Sequence, residues 1–196
     1  MSAGEVIRTA GRPRDPGVEA SILTAVQDLL IENGYPGTTI AAVAHRAHCG
    51  RSAIYRRWET KAELVVAAVR ALQIATEAPD TGTLRGDLLA AALHFAEADE
   101  RTAGVLASIL SEIGRDEELR EVAYRVIGGP PVAVLTSVIE RWRDRGEVRV
   151  DAPVAVIAGI VPTAAFGSVS LRRRALEPAA VTELVDQVIL PALRSG

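Results

Sequence analysis

Cysteine is almost absent: Cys49 is the one thiol in 196 residues, so no disulfide can form within the chain. Histidine is nearly as scarce, at positions 45, 48 and 94. His45, His48 and Cys49 are the one group with metal-like residue types, but two of them fall in a turn and no fourth ligand stands near, so we expect no metal and no cofactor. There is no Gly-rich phosphate loop ending in Lys, no Gly-x-Ser-x-Gly and no His-Glu-x-x-His, which leaves catalysis without its usual machinery and predicts a non-enzyme. Aromatic residues make up only 4%, too few for a large aromatic cage. The N-terminus lacks an apolar run of signal-peptide length, so the expected location is the cytoplasm. A net charge of −3 excludes a protein coated in positive charge.

What is present is an uneven distribution. Residues 1–62 carry 8 Arg or Lys against 6 Asp or Glu, whereas residues 63–196 carry 14 against 19. The local basic excess coincides with the most informative stretch, residues 39–64. Ile40, Val43, Ala44 and Ala47 follow helical spacing and give a short helix with one buried stripe, capped by Thr38 or Thr39. A turn at His48, Cys49 and Gly50 leads to a second short helix, where Ile54 and Trp58 lie four apart and can anchor it. That anchoring turns Arg51, Ser52, Tyr55 and Arg56 outward, with Arg57 beside them. Guanidinium groups bond guanine edges or phosphates, and hydroxyls reach phosphate oxygens, so this is the pattern of a DNA-reading helix-turn-helix. Thr60-Lys61-Ala62-Glu63 reads as a capping box opening a third element at Leu64. Upstream, Asp15 and Pro16 read as the start of a helix with the stripe Ile22, Val26, Leu29 and Leu30, ending at Asn33-Gly34. Ahead of it, Gly11-Arg12-Pro13-Arg14 suits either a basic arm in a narrow minor groove or an idle tail.

Tyr55, Trp58 and Lys61 match a Tyr-x-x-aromatic-x-x-Lys pattern, and over its first third the chain resembles the TetR family of bacterial transcriptional regulators. The resemblance implies that Tyr55 and Lys61 clamp phosphates while Arg51 and Ser52 touch bases. The DNA-contact set expected from pattern and resemblance together is Arg12, Arg14, Thr38, Thr39, Arg51, Ser52, Tyr55, Arg56, Arg57 and Lys61. Two positions depart from the family pattern: His48 stands where the turn often has Gly, and Gly50 where Ser or Thr often caps the recognition helix.

The rest of the chain reads as helices separated near Pro79-Asp80-Thr81-Gly82, Asp99 to Thr102, Gly114 and Gly128-Gly129-Pro130-Pro131, without strands or repeats. The expected fold is therefore all-α: a helix-turn-helix DNA-binding domain with its arm in 1–62, then a larger helical effector-binding and dimerisation domain in 63–196. Leu88, Phe95, Leu106, Ile109, Ile113, Tyr124, Val138 and Trp142 are candidates for either plain core or the effector pocket that the resemblance implies.

Residues 152–171 contain no charge and precede Arg172-Arg173-Arg174, which allows a membrane span. Their prolines, glycines and hydroxyls favour a buried interface helix instead, and we expect no membrane partner. In that helix Ala155, Gly159, Thr163 and Gly167 recur every four residues and admit a close helix neighbour. The last helix carries Val181, Leu184, Val185, Val188 and Ile189. Both stripes suit either the chain's own core or a homodimer built as a four-helix bundle. The expected function is a ligand-responsive repressor that binds a palindromic double-stranded operator as a dimer and is released by a small-molecule effector. The alternative is a helical protein-binding adaptor without specific DNA affinity.

Overall fold

Side-chain caps decide where five of the helices begin. Thr39, Thr60, Thr83, Asp99 and Asp116 each accept a bond from the backbone N–H three residues on, at 3.1, 3.1, 3.0, 2.8 and 2.9 Å. Each satisfies one of the donors that a helix N-terminus leaves without a partner. The computed structural model describes residues 16–72, 77–96 and 99–194, and among them there are helices and turns but no strand. The expected arm residues Arg12 and Arg14 and the expected cap Asp15 lie outside the described residues.

In chain order the helices are α1 (Pro16–Gly37), α2 (Ile40–Arg46), α3 (Arg51–Tyr55), α4 (Lys61–Arg70), α5 (Leu84–Leu93) and α6 (Glu100–Leu110). They continue as α7 (Glu117–Ala123), α8 (Gly129–Asp144), α9 (Val154–Ala158), α10 (Ile160–Arg172), α11 (Pro178–Leu184) and α12 (Leu190–Arg194). Helix α1 is broken at Gly34, whose φ of 65° takes the left-handed conformation that glycine adopts without strain. The cap at Thr60 opens α4 at Lys61, one turn earlier than Leu64.

Two expectations about continuity are corrected. The Gly128-Gly129-Pro130-Pro131 stretch does not separate helices: a π-helical segment, Tyr124–Gly128, joins α7 to α8. Prolines are tolerated in the first turn of α8, where an N–H needs no partner, and the wider π turn takes up the lost register. A second π segment, Val185–Ile189, joins α11 to α12 just before Pro191. Conversely, the uncharged run is not one helix but two, interrupted at Gly159 with Pro162 in the first turn of α10. The span Val154–Arg172 is long and apolar enough to cross a bilayer by length and composition, yet Val154, Ile157, Ala158, Val161, Ala165 and Val169 are buried inside this fold.

Two apolar cores result. The first joins α1, α2, α3 and α4 to α6 and α7, through Ile22, Leu30, Val43, Ile54, Leu64, Ile109 and Leu119. Polar bonds reinforce that contact: Gln27 donates to the Ala68 carbonyl at 2.9 Å, Arg101 reaches Gln27 at 3.2 Å and Asp28 at 2.6 Å, and Ser108 donates to the Leu30 carbonyl at 2.7 Å. The second core packs α5 and α8 with α9 and the C-terminal helices through Leu88, Leu135, Ile139, Trp142, Val185 and Leu193. The reading helix α3 thus stands on a base that includes helices from far along the chain.

Candidate nucleic-acid interface

Helix α2 supports and α3 presents. Val43 is fully buried and Ala44 nearly so, which seats α2 against α1. The turn is closed by the Cys49 N–H on the Ala44 carbonyl at 3.0 Å and passes through His48 at φ 49°, a left-handed conformation without glycine to relieve it. Gly50 is the N-cap of α3 and, having no side chain, caps nothing. Ile54 is fully buried and Trp58 half-buried, as their spacing predicts. Arg51, Ser52, Tyr55 and Arg56 are exposed together, Tyr55 by 54%. This face offers two guanidinium groups and two hydroxyls on a rigid helix, which suits base edges and phosphate oxygens in a major groove. Thr39 is exposed at the start of α2, its hydroxyl engaged as the cap.

Three of the expected contact residues are engaged within the chain. Thr38 is 1% exposed and donates its hydroxyl to the Gly34 carbonyl at 2.8 Å, because Thr39, not Thr38, occupies the cap. Arg57 donates to the Ala53 carbonyl at 2.9 Å and lies 3.5 Å from the Glu19 carboxylate, with 9% of its side chain exposed. Lys61 donates to the Tyr35 carbonyl at 2.6 Å, with its ammonium 3.9 Å from the centre of the Tyr35 ring. Burial lowers the Lys61 pKa, while Asp116 and Glu112 act in the opposite direction. Sequence reading missed Tyr35 as the partner of Lys61, since 26 residues separate the two and no local periodicity joins them. Nearby, Arg46 is held by Glu32 in a bidentate pair at 2.7 and 2.6 Å.

The eight pocket candidates are divided between the two cores and the surface. Leu106 and Ile109 belong to the first core, with Ile113 packed against it; Leu88, Val138 and Trp142 belong to the second, with Phe95 packed against it; Tyr124 is 69% exposed. The interface candidates divide as well. Val181, Val185 and Ile189 are buried in this chain's own core and are not available to a partner. Ala155 and Thr163 are exposed, Gly159, Gly167 and Leu184 half-exposed, and Val188 is 44% exposed. Val156 and Leu171 are exposed as well, by 70% and 87%. Among the described residues no group of three His, Cys, Asp or Glu is placed to hold a metal; Cys49 is half-buried against the first core.

Residues 22–68 match the family described as bacterial regulatory proteins, tetR family, and residues 78–188 match the tetracyclin repressor-like C-terminal domain. The chain belongs to the TetR family. An uncharacterised helix-turn-helix-type transcriptional regulator of Mycobacterium tuberculosis is 31% identical over 195 residues, covering 97% of this chain and 96% of that one. A protein of Mycobacteroides abscessus named DNA-binding transcriptional repressor TetR is 30% identical over 180 residues, covering 90% and 94%. Among solved structures, NalD, the secondary repressor of the MexAB-OprM multidrug efflux pump in Pseudomonas aeruginosa, superposes with a TM-score of 0.66 at 19% identity. That superposition covers 92% of this chain and 98% of NalD. As a TetR-family member this protein is a helix-turn-helix transcriptional regulator, and the family is one of regulators, not enzymes.

Proposed function

We propose that this TetR-family regulator is a cytoplasmic repressor that binds a palindromic operator as a homodimer and lets go when a small-molecule effector binds. The exposed face of Arg51, Ser52, Tyr55 and Arg56 over the buried Ile54 carries the reading. One α3 of five residues reads too little sequence alone, and two of them a DNA turn apart read a palindrome. The outer face of Ala155, Val156, Thr163, Gly167, Leu171 and Val188 supports the dimer, because it leaves small and apolar residues uncovered along two helix runs. The Mycobacteroides relative's name supports repression. Release needs a bound state with α4 tilted, and emptying a site from 99% to 1% occupancy takes an effector that distinguishes the two states by about 5.5 kcal/mol.

Selection of bound fragments from a randomised duplex pool at two salt concentrations tests this. The expected result is one enriched palindrome whose binding weakens steeply with salt. Against that palindrome, Arg51→Ala relaxes preference at one base pair, and Tyr55→Ala weakens all sequences alike, each by roughly 1–3 kcal/mol. No enrichment at either salt would mean that the basic face binds protein instead.

A further inference from the structure

The loop after α8 brings together arginines that lie far apart in the chain. Gly146 opens it at a φ of 80°, a left-handed turn that glycine adopts without strain. Three residues on, the Arg149 backbone N–H bonds the Leu193 carbonyl and its guanidinium bonds the Ala192 carbonyl, both at 3.0 Å, which seats α12 beside the end of α8. Between them lies a cleft of about 470 Å³ lined by Arg143, Glu147, Val148, Arg149, Val150 and Arg194. Three guanidinium groups share it with one carboxylate, a formal charge of +2. Arg149 is committed, with its other end 2.8 Å from Asp151. Arg143 and Arg194 are only loosely paired, with Glu140 and Glu147, each at 3.8 Å and beyond hydrogen-bond reach. Val148 is buried in the second core, whereas Val150 is 89% exposed. The cleft thus stands on the second core, and the reading helix α3 on the first.

We propose that this cleft binds a small organic phosphate, with Arg143 and Arg194 meeting the phosphate dianion and the exposed Val150 meeting the organic part. A guanidinium fork matches two phosphate oxygens at once, and ion pairs as long and as exposed as those of Arg143 and Arg194 hold little energy, so a dianion displaces them at small cost. The volume is that of a small-molecule site. Glu147 sets the selectivity. Its carboxylate repels a bare inorganic anion, yet it accepts a bond from a hydroxyl or amine on a larger ligand. Arg149 is a positioning residue here, since its bonds to Ala192 and Asp151 hold the wall in place. A ligand bridging Arg143 and Arg194 ties the end of α8 to α12, and binding the folded state alone raises its stability. The proposal does not depend on the DNA-binding reading.

The test is calorimetric titration of the full chain with phenyl phosphate and, separately, with inorganic phosphate, at matched ionic strength and at about pH 8, where the phosphate carries its second charge. Phenyl phosphate should bind once per chain, half-saturating at or below about 1 mM, the upper end for small-substrate sites. Inorganic phosphate should bind several-fold more weakly. Arg143→Gln and Arg194→Gln are each expected to weaken phenyl phosphate binding roughly tenfold or more, the scale of a lost charged hydrogen bond. Glu147→Gln should tighten it by removing repulsion. Arg173→Gln, at an exposed arginine outside the cleft, should leave it unchanged. The thermal unfolding midpoint should rise with phenyl phosphate in the parent and not in Arg194→Gln. No saturable binding, equal affinity for inorganic phosphate, or an equal loss in Arg173→Gln overturns the proposal. So does displacement of phenyl phosphate by duplex DNA, which would make the cleft a nucleic-acid surface. Should either arginine variant fail to fold, the opposite sign expected for Glu147→Gln carries the test.

Discussion

The DNA-reading end and the C-terminal part are held together by bonds of very different reach. In α2 to α4 the caps and the turn are closed locally, Thr39 to Ala42, Cys49 to Ala44 and Thr60 to Glu63, each spanning five residues or fewer. In the later helices they span the chain. Asp87, fully buried, accepts from the Thr81 backbone N–H and hydroxyl at 2.5 and 2.7 Å and from Arg141 and Trp142, both at 2.7 Å, 54 and 55 residues away. Arg141 also bonds the Pro79 carbonyl, and Arg85 pairs with Asp186 across 101 residues. The reading end is a small part shaped by its own turns, whereas the rest is shaped by closure of distant elements around buried polar anchors. One keeps its functional side chains exposed on a rigid helix; the other gives each anchor several partners at once.

If that contrast is right, removing Asp87 has the largest effect of any single change. Asp87→Asn leaves Arg141 without its counter-charge and turns an amide donor toward other donors. The cost should be about 3 kcal/mol, at the lower end for a broken buried pair because 28% of the Arg141 side chain is exposed. Urea unfolding measures it, and a cost below 1 kcal/mol would mean that the network is ornamental. Burial alone would raise the Asp87 pKa, but the bonds from Thr81, Trp142 and Arg141 outweigh it and hold the carboxyl at about 2. A folded-state value below the unfolded one means that protonation favours unfolding. The contribution is therefore complete above about pH 4 and is lost as pH falls toward 2. The Asn variant should lack that part of the acid limb.

The same difference in reach explains what was legible in the sequence. Ile54 and Trp58 were readable as anchors because four residues on a helix fix one face, and the caps at Thr39 and Thr60 because their bonds close within a turn. Membership in the TetR family was readable for the same reason, since its motif lies in one short stretch. The bond from Lys61 to the Tyr35 carbonyl was not readable, because 26 residues separate the two and only folding brings them together. Asp87 gave no signal of its partners, because an acidic residue in the first turn of a helix is ordinary there and nothing in it announces partners more than fifty residues on. The last helix run showed one apolar stripe where the fold uses two, burying Val181, Val185 and Ile189 and leaving Val188 outside. Periodicity reports that a face is apolar, not which body covers it.

Changes in the reading end should accordingly be small and local. His48 holds φ 49°, which costs a non-glycine residue about 1–2 kcal/mol, and glycine removes that strain while adding freedom to the unfolded chain. The net expectation for His48→Gly is a gain of about 0.5 kcal/mol in unfolding free energy with DNA affinity unchanged. A loss would mean that His48 makes a contact worth more than its strain.

Smaller still is the effect of Gly50→Ser. A Cβ at position 50 meets only the Ser52 hydroxyl, at 3.6 Å, and φ is −77°, so the backbone accepts serine without strain. The new hydroxyl would aim at the N–H groups that open α3, but one of them, on Ala53, already bonds the Gly50 carbonyl at 2.9 Å. Serine therefore shares a donor instead of rescuing an idle one, and the gain should be ~0.3 kcal/mol, the usual margin of Ser over Gly at this position. A gain above 1 kcal/mol would show that the start of α3 frays in the parent, and that the recognition helix owes its order to its buried anchors more than to its turn.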